Sequence, residues 1–204
     1  TDGADGDNQD TVTDNPLKIV ESGWSADQQG YVHYAFALRN TSTTQQVQYP
    51  QITITGRAKD GSIVFSQTQT LNMAFPNQTI YNAGQACQGT APATVDFVAL
   101  SPNEYNVTEA QGTATSPISG ISKVRNNDGG TTFNGEVRAV TDGFKPSDGQ
   151  QIKVSLVLRD KQGAIIYGEM AFVDWPDNGQ SMPFSILVYD LPDYTSYESY
   201  AQIW

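Results

Sequence analysis

The sequence predicts an all-β protein built from two tandem antiparallel β-sandwich domains that follow a disordered N-terminal tether. Three observations predict this fold. Short segments alternate between apolar and polar residues and are separated by turn-forming residues, as in the strands of a sandwich. No window carries the apolar stripe of a helix. One hairpin occurs twice in the same setting, as RAKDGSIVF at 57–65 and as RDKQGAIIY at 159–167.

Residues 1–16, TDGADGDNQDTVTDNP, predict an acidic, disordered tether. They carry five aspartates and no basic residue, and so they supply almost half of the formal net charge of −11 of the whole chain. Without apolar periodicity they cannot bury enough surface to offset the entropy of ordering. The spacing of Asp5, Asp7 and Asp10 also suggests a calcium loop, but an EF-hand loop starting at Asp5 needs glycine and glutamate where Asp10 and Pro16 stand. A solvated tether is therefore the favoured interpretation.

Residues 17–110 predict the first sandwich. In VHYAFALRN, alternate positions place Val32, Tyr34, Phe36 and Leu38 on one face of a strand. Further strands are predicted in QITIT, IVFSQTQTLNM, TVDFVAL and EYNVTEA.

Residues 111–204 predict the second sandwich. It opens with a small, polar, Gly- and Pro-containing stretch at 111–120, QGTATSPISG, which is typical of a linker. The strand pattern then starts again in TFNGEVRAV, where Phe133, Gly135 and Val137 share a face, and continues in QIKVSLVLRD, SMPFSILVYD and SYESYAQIW.

The two hairpins define an internal repeat. They align at an offset of 102 residues and turn at Asp60-Gly61 and Gln162-Gly163, where glycine supplies a positive φ at low cost. The preceding strand aligns at 101, because an offset of 102 would turn the apolar face of the second copy outward.

Beyond the hairpins, the alignment follows short letter matches. NAGQ (82–85) pairs with DNGQ (177–180) at an offset of 95, and Tyr105 pairs with Tyr197 at 92. These offsets predict about seven additional residues in the first copy, around 74–81. The matched Arg57 and Arg159 are expected to be solvated charges beside the turns.

The order of strand, turn, strand, K-x-G hairpin, strand, G-Q and strand resembles the small Ig-like sandwich domains of bacterial surface lipoproteins, and the FxLYD-type group in particular. The resemblance is carried by LVLRDKQGAII (156–166) with DNGQSMPF (177–184), and by ITGRAKDGSIV (54–64) with NAGQ (82–85). It implies an Ig-like fold for both sandwiches, a bacterial cell-surface location and a lipidated cysteine upstream of Thr1. It carries over no active site.

Composition excludes several kinds of function. The chain lacks the basic stripe that nucleic acids require, so no nucleic-acid partner is expected. No apolar run approaches the ~18 residues of a transmembrane helix. Cys87 is the only cysteine and His33 the only histidine, so neither a disulfide within the chain nor a metal site is expected. The chain also carries no nucleotide or phosphate fingerprint, and no cofactor is expected.

Catalysis is not expected either. A pair of carboxylates could serve a glycosidase, and Asp174, Asp177, Asp190 and Asp193 cluster in the loops of the second copy. Their setting in VDWPDNG and YDLPDY is more typical of turn formers. An enzyme of unrecognised type stays the least favoured of three hypotheses.

Aromatic residues are the candidate binding residues, because exposed Trp and Tyr give large contact area at low entropic cost. They are Trp24, Trp175, Tyr194 and Tyr197. The alternative is that these rings close the sandwich ends or pack at the domain junction. Alternation places Tyr197 and Tyr200 on opposite strand faces.

The predicted function is that of a non-catalytic extracellular binding or spacer module in a protein anchored at the cell surface. Its partner would be a protein or a glycan at that surface. The alternative is a carbohydrate-binding accessory domain that uses the exposed Trp and Tyr side chains.

Overall fold

The computed structural model describes residues 14–86 and 89–204, and it confirms the all-β fold with antiparallel sheets. Helical structure within these residues is limited to two single turns of 3-10 helix, Glu104–Asn106 and Asp177–Gly179. Most of the predicted tether and Cys87 lie outside the described residues.

In the described part of the first sandwich there are nine strands: β1 (Leu17–Ala26), β2 (Val32–Asn40), β3 (Gln45–Gln48), β4 (Gln51–Arg57), β5 (Ile63–Thr70), β6 (Met73–Ala74), β7 (Thr79–Ala86), β8 (Thr94–Ala99) and β9 (Val107–Glu109). They form two main antiparallel sheets, β1-β2-β7 and β5-β4-β8, and a small sheet, β6-β3-β9. The two main sheets enclose the core, in which Tyr34 and Phe36 of β2 pack against Phe97 of β8.

The second sandwich contains eight strands: β10 (Thr113–Thr115), β11 (Ile118–Arg125), β12 (Thr131–Arg138), β13 (Val140–Asp142), β14 (Gln151–Arg159), β15 (Ile165–Asp174), β16 (Ser181–Val188) and β17 (Ser196–Ile203). The main sheets are β11-β12-β16 and β15-β14-β17, with β10-β13 as a small pair. Phe133 and Val137 of β12 share the core with Leu156 and Leu158 of β14, as the alternation predicts.

The four main sheets stack in four layers, because one sheet of each sandwich forms most of the contact between them. Outside these sheets, Phe75 of the first sandwich packs on Phe144 of the second. Sheet β1-β2-β7 of the first packs on sheet β15-β14-β17 of the second. The middle strands β2 and β14 are therefore buried on both faces, whereas β4 and β12 in the outer layers alternate between buried and accessible residues. This difference separates inner from outer layers.

Strand pairing corrects the register of the repeat. The offset of 102 for the hairpins agrees with the pairing, and the offset of 101 keeps the buried faces of β2 and β12 in the same phase. The offsets of 95 and 92 are wrong. Gly84 opposes Tyr34 in the first copy, and Phe184 opposes Gly135 in the second. Because Tyr34 and Gly135 are matched at an offset of 101, β7 and β16 align at an offset of 100. The first copy therefore has two additional residues in this loop, not seven.

The last strand of each copy is also misaligned by letter matching. Thr94 opposes Arg57 in the first copy, and Ser196 opposes Arg159 in the second, so β8 corresponds to β17 at an offset of 102. Tyr105 lies in a 3-10 turn outside this pairing.

In both copies a glycine on one strand faces an aromatic ring on the neighbouring strand, but the glycine and the ring exchange strands between the copies. A Cβ on Gly84 would lie 2.6 Å from the Tyr34 hydroxyl, and a Cβ on Gly135 would lie 2.6 Å from the Phe184 ring. Each glycine thus leaves space for the aromatic ring on the neighbouring strand.

The prediction that residues 111–120 form a linker is wrong. This stretch contributes β10 and the start of β11, and β10 pairs with β13. Its small polar residues suit a short strand as well as a loop, and pairing with a distant strand decides between them. Similarly, EYNVTEA is a strand only at Val107–Glu109.

Nowhere in residues 14–86 or 89–204 does a helix have the length and apolar character that a bilayer crossing requires.

Candidate functional site: the interface between the sandwiches

The interface between the two middle sheets has a small apolar centre. Ala35 and Ala83 of the first sandwich are buried against Val157 and Ile165 of the second. On the β7 edge, the backbone N–H of Ala83 donates a hydrogen bond to Ser155 Oγ at 3.0 Å. A buried strand edge is thereby satisfied by a side chain from the other sandwich.

Two glycines let the backbones of the two sheets approach closely. A Cβ on Gly23 would lie 1.7 Å from the carbonyl oxygen of Ile165, and a Cβ on Gly168 would lie 2.2 Å from that of Tyr34. Any side chain at these positions would force the two sheets apart, so the sequence of both copies is adapted to this contact.

A histidine cluster occupies one part of the interface. His33 of β2 places Nε2 3.0 Å from Asp27 Oδ2 and Nδ1 3.3 Å from Glu169 Oε2. Gln85 also donates to Glu169, at 2.9 Å. The Tyr167 ring stacks on the imidazole with centroids 4.7 Å apart. Asp27 and Gln85 come from the first sandwich and Glu169 and Tyr167 from the second, so the histidine cluster joins the two copies.

The geometry of this cluster favours the charged imidazolium, since both ring nitrogens face a carboxylate and both can then donate. Burial opposes protonation, but the hydrogen bonds to Glu169 and Asp27 outweigh it, and the pKa of His33 lies above its ordinary value. Burial likewise opposes ionisation of Glu169, yet the bond to His33 holds the pKa of that carboxyl below its usual range.

A lysine cluster occupies a second part. Lys153 of β14 is 1% exposed and donates to Asn82 Oδ1 at 2.8 Å. Its ammonium lies 4.4 Å from the centre of the Trp204 ring, and Gln202 Nε2 donates to the same Asn82 oxygen at 3.2 Å. Burial lowers the pKa of Lys153 to about 8, while the more distant Glu169 opposes this shift.

An arginine cluster occupies the third part. Arg159 forms two hydrogen bonds of 2.8 Å to the Glu21 carboxylate of β1 and a third of 2.9 Å to Glu198 of β17. Tyr81 donates to Glu21, and its ring stacks on that of Tyr200 at 3.8 Å. The bond from Arg159 is the main cause that lowers the pKa of Glu21.

Arg57 is the equivalent of Arg159 in the first copy, and the two arginines differ in their exposure to solvent. Arg57 and Arg159 both donate to the carbonyl of the turn glycine, and both face an acid on the corresponding last strand, Asp96 or Glu198. The side chain of Arg57 is 42% exposed, whereas that of Arg159 is 13% exposed because Glu21 covers it. The expectation of a solvated charge is therefore wrong for Arg159.

The predicted aromatic residues do not converge on one surface. Trp24 packs against the first core, and Trp175 packs against the second core and the Phe144 ring at 6.2 Å. Only Tyr194 and Tyr197 lie together, both on Phe133.

All four rings are partly buried, and their role in binding stays a prediction. Tyr197 and Tyr200 do point to opposite sides, toward the second core and toward the interface respectively.

Sequence reasoning missed the three polar clusters, although a signal for them existed. The second face of β2 carries Ala35 and Ala37, where an exposed sandwich strand usually carries polar residues. These small apolar residues indicate a strand in an inner layer. The second face of β14 gives no such signal, because it carries Lys153, Ser155 and Arg159 beside Val157.

Among the residues that the structure describes, no group of three or more His, Cys, Asp or Glu could hold a metal ion. Comparisons of the chain with protein-family models, curated proteins and solved structures give no match. The site is therefore interpreted from its own geometry.

Replacing Arg159 should destabilise the protein more than replacing its counterpart in the repeat. Arg159→Met leaves two carboxylates of the interface without their cation, and we expect a loss of about 1–3 kcal/mol in the free energy of unfolding. Arg57→Met, at the exposed equivalent, should cost less than about 1 kcal/mol. Urea unfolding of both variants measures the difference, and equal losses would contradict the interface role of Arg159.

The histidine cluster should make stability depend on pH. Because the pKa of His33 is raised by folding, its contribution is complete below the unfolded value of about 6.5 and is lost as the pH rises through the folded value. Folding lowers the pKa values of the Asp27 and Glu169 carboxyls, so the stability that these groups contribute is lost only as the pH falls into the acidic range. Urea unfolding between about pH 6.5 and 8 should show falling stability in the wild type and a flatter profile in His33→Gln. Identical profiles would rule out this linkage.

Removing the buried lysine charge should stabilise the protein. Lys153→Met keeps the side-chain length without the cost of burying an ammonium, and we expect a gain of about 1–3 kcal/mol at pH 7. The wild type should also gain stability between about pH 8 and 10.5, where the unfolded chain binds the additional proton. The variant should not.

The exposed Lys161→Met serves as the control for this substitution, with a change within about 0.5 kcal/mol. Thermal and urea unfolding give the comparison. A net loss of stability in Lys153→Met would show that its hydrogen bond and its ring contact outweigh the cost of burial.

Proposed function

We propose that the chain is a non-catalytic extracellular module that binds a partner or acts as a spacer, and that it belongs to a protein anchored at a bacterial cell surface. The observation that carries the proposal is the packing of the two sandwiches sheet against sheet. Such packing makes one unit out of two domains, which suits a part that must hold a fixed shape.

The chemistry of the interface supports a fixed orientation. Domains within one chain usually move relative to each other unless their contact is large and apolar. Here the contact combines an apolar centre with ionic and polar clusters that join both sandwiches, at His33, Lys153 and Arg159. Directional contacts at three separate places oppose both sliding and rotation.

Surface anchoring rests on the sequence. The acidic residues 1–16 have the composition of a solvated spacer, and the resemblance to bacterial surface lipoproteins suggests a lipid anchor on a cysteine upstream of Thr1. A rigid pair of sandwiches on this acidic spacer would present its outer layers away from the membrane.

Carbohydrate binding is the second candidate, and one observation favours it. A cleft of about 290 Å³ opens between the two sandwiches, and none of its twelve lining residues is charged. Neutral lining suits a neutral ligand such as a sugar.

The proposed location can be tested on intact cells of the organism that encodes the chain. Antibodies raised against residues 14–204 should label these cells without permeabilisation, and protease added outside should remove the label. An antibody against a cytoplasmic protein provides the control for cell integrity. Labelling that needs permeabilisation would refute the surface location.

A further inference from the structure

The lysine cluster holds two groups that are costly to bury as they stand. The Lys153 ammonium is buried, and it donates a hydrogen bond to a neutral group, the Oδ1 of Asn82, rather than to a carboxylate. The Nδ2 of Asn82 is also buried and has no hydrogen-bond partner among the described residues. A buried charge without a counter-ion and a buried unpaired amide both destabilise a fold. One reaction between these two side chains would remove both.

The two side chains are held within reach of each other. Lys153 Nζ lies 2.8 Å from Asn82 Oδ1, and a C=O bond is about 1.2 Å long, so Nζ lies within about 4 Å of the Cγ carbon of Asn82. Reacting atoms in a near-attack arrangement are about 3–3.5 Å apart. The Phe172 and Trp204 rings lie beside the amine, with their centres 5.9 Å and 4.4 Å from Nζ. A small shift of the lysine side chain is therefore enough to bring the amine onto the carbonyl carbon.

The surroundings favour attack of the amine on the amide. Burial lowers the pKa of Lys153 to about 8, although the Glu169 carboxylate opposes this shift, so about one tenth of the amines are uncharged at pH 7. Gln202 Nε2 donates to Asn82 Oδ1 at 3.2 Å and stabilises the negative charge that develops on this oxygen during attack. Asn82, Lys153 and Gln202 are at most 4% exposed, so the site excludes water that would compete with the amine.

We propose that Lys153 and Asn82 react to form an isopeptide bond that links the two sandwiches covalently. The lone pair of the uncharged amine attacks Cγ of Asn82, and a bond forms between Nζ and Cγ. The bond between Cγ and Nδ2 then breaks, Nζ passes one proton to the departing nitrogen, and ammonia leaves. One amide replaces another, so the reaction needs no oxidant, reductant or further reactant. Departure of Nδ2 breaks no hydrogen bond to the described residues.

The bond ties β7 of the first sandwich to β14 of the second, between residues that lie 71 positions apart. A cross-link over so long a loop restricts the unfolded chain and keeps the two sandwiches joined. It goes beyond the proposed function, because it depends on this contact alone and not on a ligand or a cellular location. The stability changes expected above for Lys153→Met refer to the protein in which the amine of Lys153 is still free.

The test is intact mass spectrometry of the chain, purified at pH 6 and then incubated over days at pH 8. The mass should fall by one ammonia, and the fall should be at least tenfold faster at pH 8 than at pH 6, because far more of the Lys153 amine is then uncharged. A loss that is already complete at purification supports the proposal too, once peptide mapping places it at Lys153 and Asn82. A mass that stays unchanged at pH 8 overturns the proposal.

Peptide mapping separates this reaction from succinimide formation at an asparagine, which also releases ammonia. Trypsin should yield residues 60–123, which contain Asn82, joined to residues 139–159, because the modified Lys153 is no longer cleaved. Ammonia lost only at other residues would overturn the proposal.

Two variants complete the experiment. Lys153→Met should keep its full mass, whereas the exposed Lys161→Met should lose ammonia as the wild type does. The wild-type peptide map decides the question even if Lys153→Met fails to fold. Folded Lys153→Met that loses ammonia to the same extent as the wild type would contradict the proposal. Surface labelling of cells is independent of these results, so failure here is distinguishable from failure of the proposed location.

Discussion

The contact between the two middle sheets is the constraint on which the rest of the structure depends. It buries both faces of β2 and β14, and it therefore decides which side chains those strands can carry. Close approach requires glycine at Gly23 and Gly168 and small residues such as Ala35. Every charged group that remains in the contact needs a partner, because an unpaired buried charge is costly. The three polar clusters follow from this requirement.

The two sandwiches share a strand-pairing pattern and differ at the surface through which they meet. The hairpins keep the same turn and the same arginine, yet only Arg159 reaches across to Glu21 of the other copy. Arg57 occupies the matching position in an outer layer and stays in solvent. The same local sequence thus has two roles, and the layer in which it lies determines which one it has.

The sequence was sufficient for the features that depend on neighbouring residues. Alternation in β2 identified its core face, Val32, Tyr34 and Phe36, and glycine identified both hairpin turns. It was insufficient where distant strands decide. NAGQ and DNGQ share letters but not strand positions, and Arg159 meets Glu21 across 138 residues. The clusters were missed because alanine and serine on a strand face are compatible with solvent and with burial.

The central claim is that the two sandwiches form one unit with a fixed relative orientation, and residual dipolar couplings of the backbone amides test it most directly. In a weakly aligned sample, couplings from residues 17–86 and from residues 118–203 are fitted separately. A fixed interface predicts one alignment tensor, with the same axes and magnitude for both sets. Two tensors that differ from each other in magnitude or in the direction of their axes would show that the sandwiches move independently, and would contradict this account.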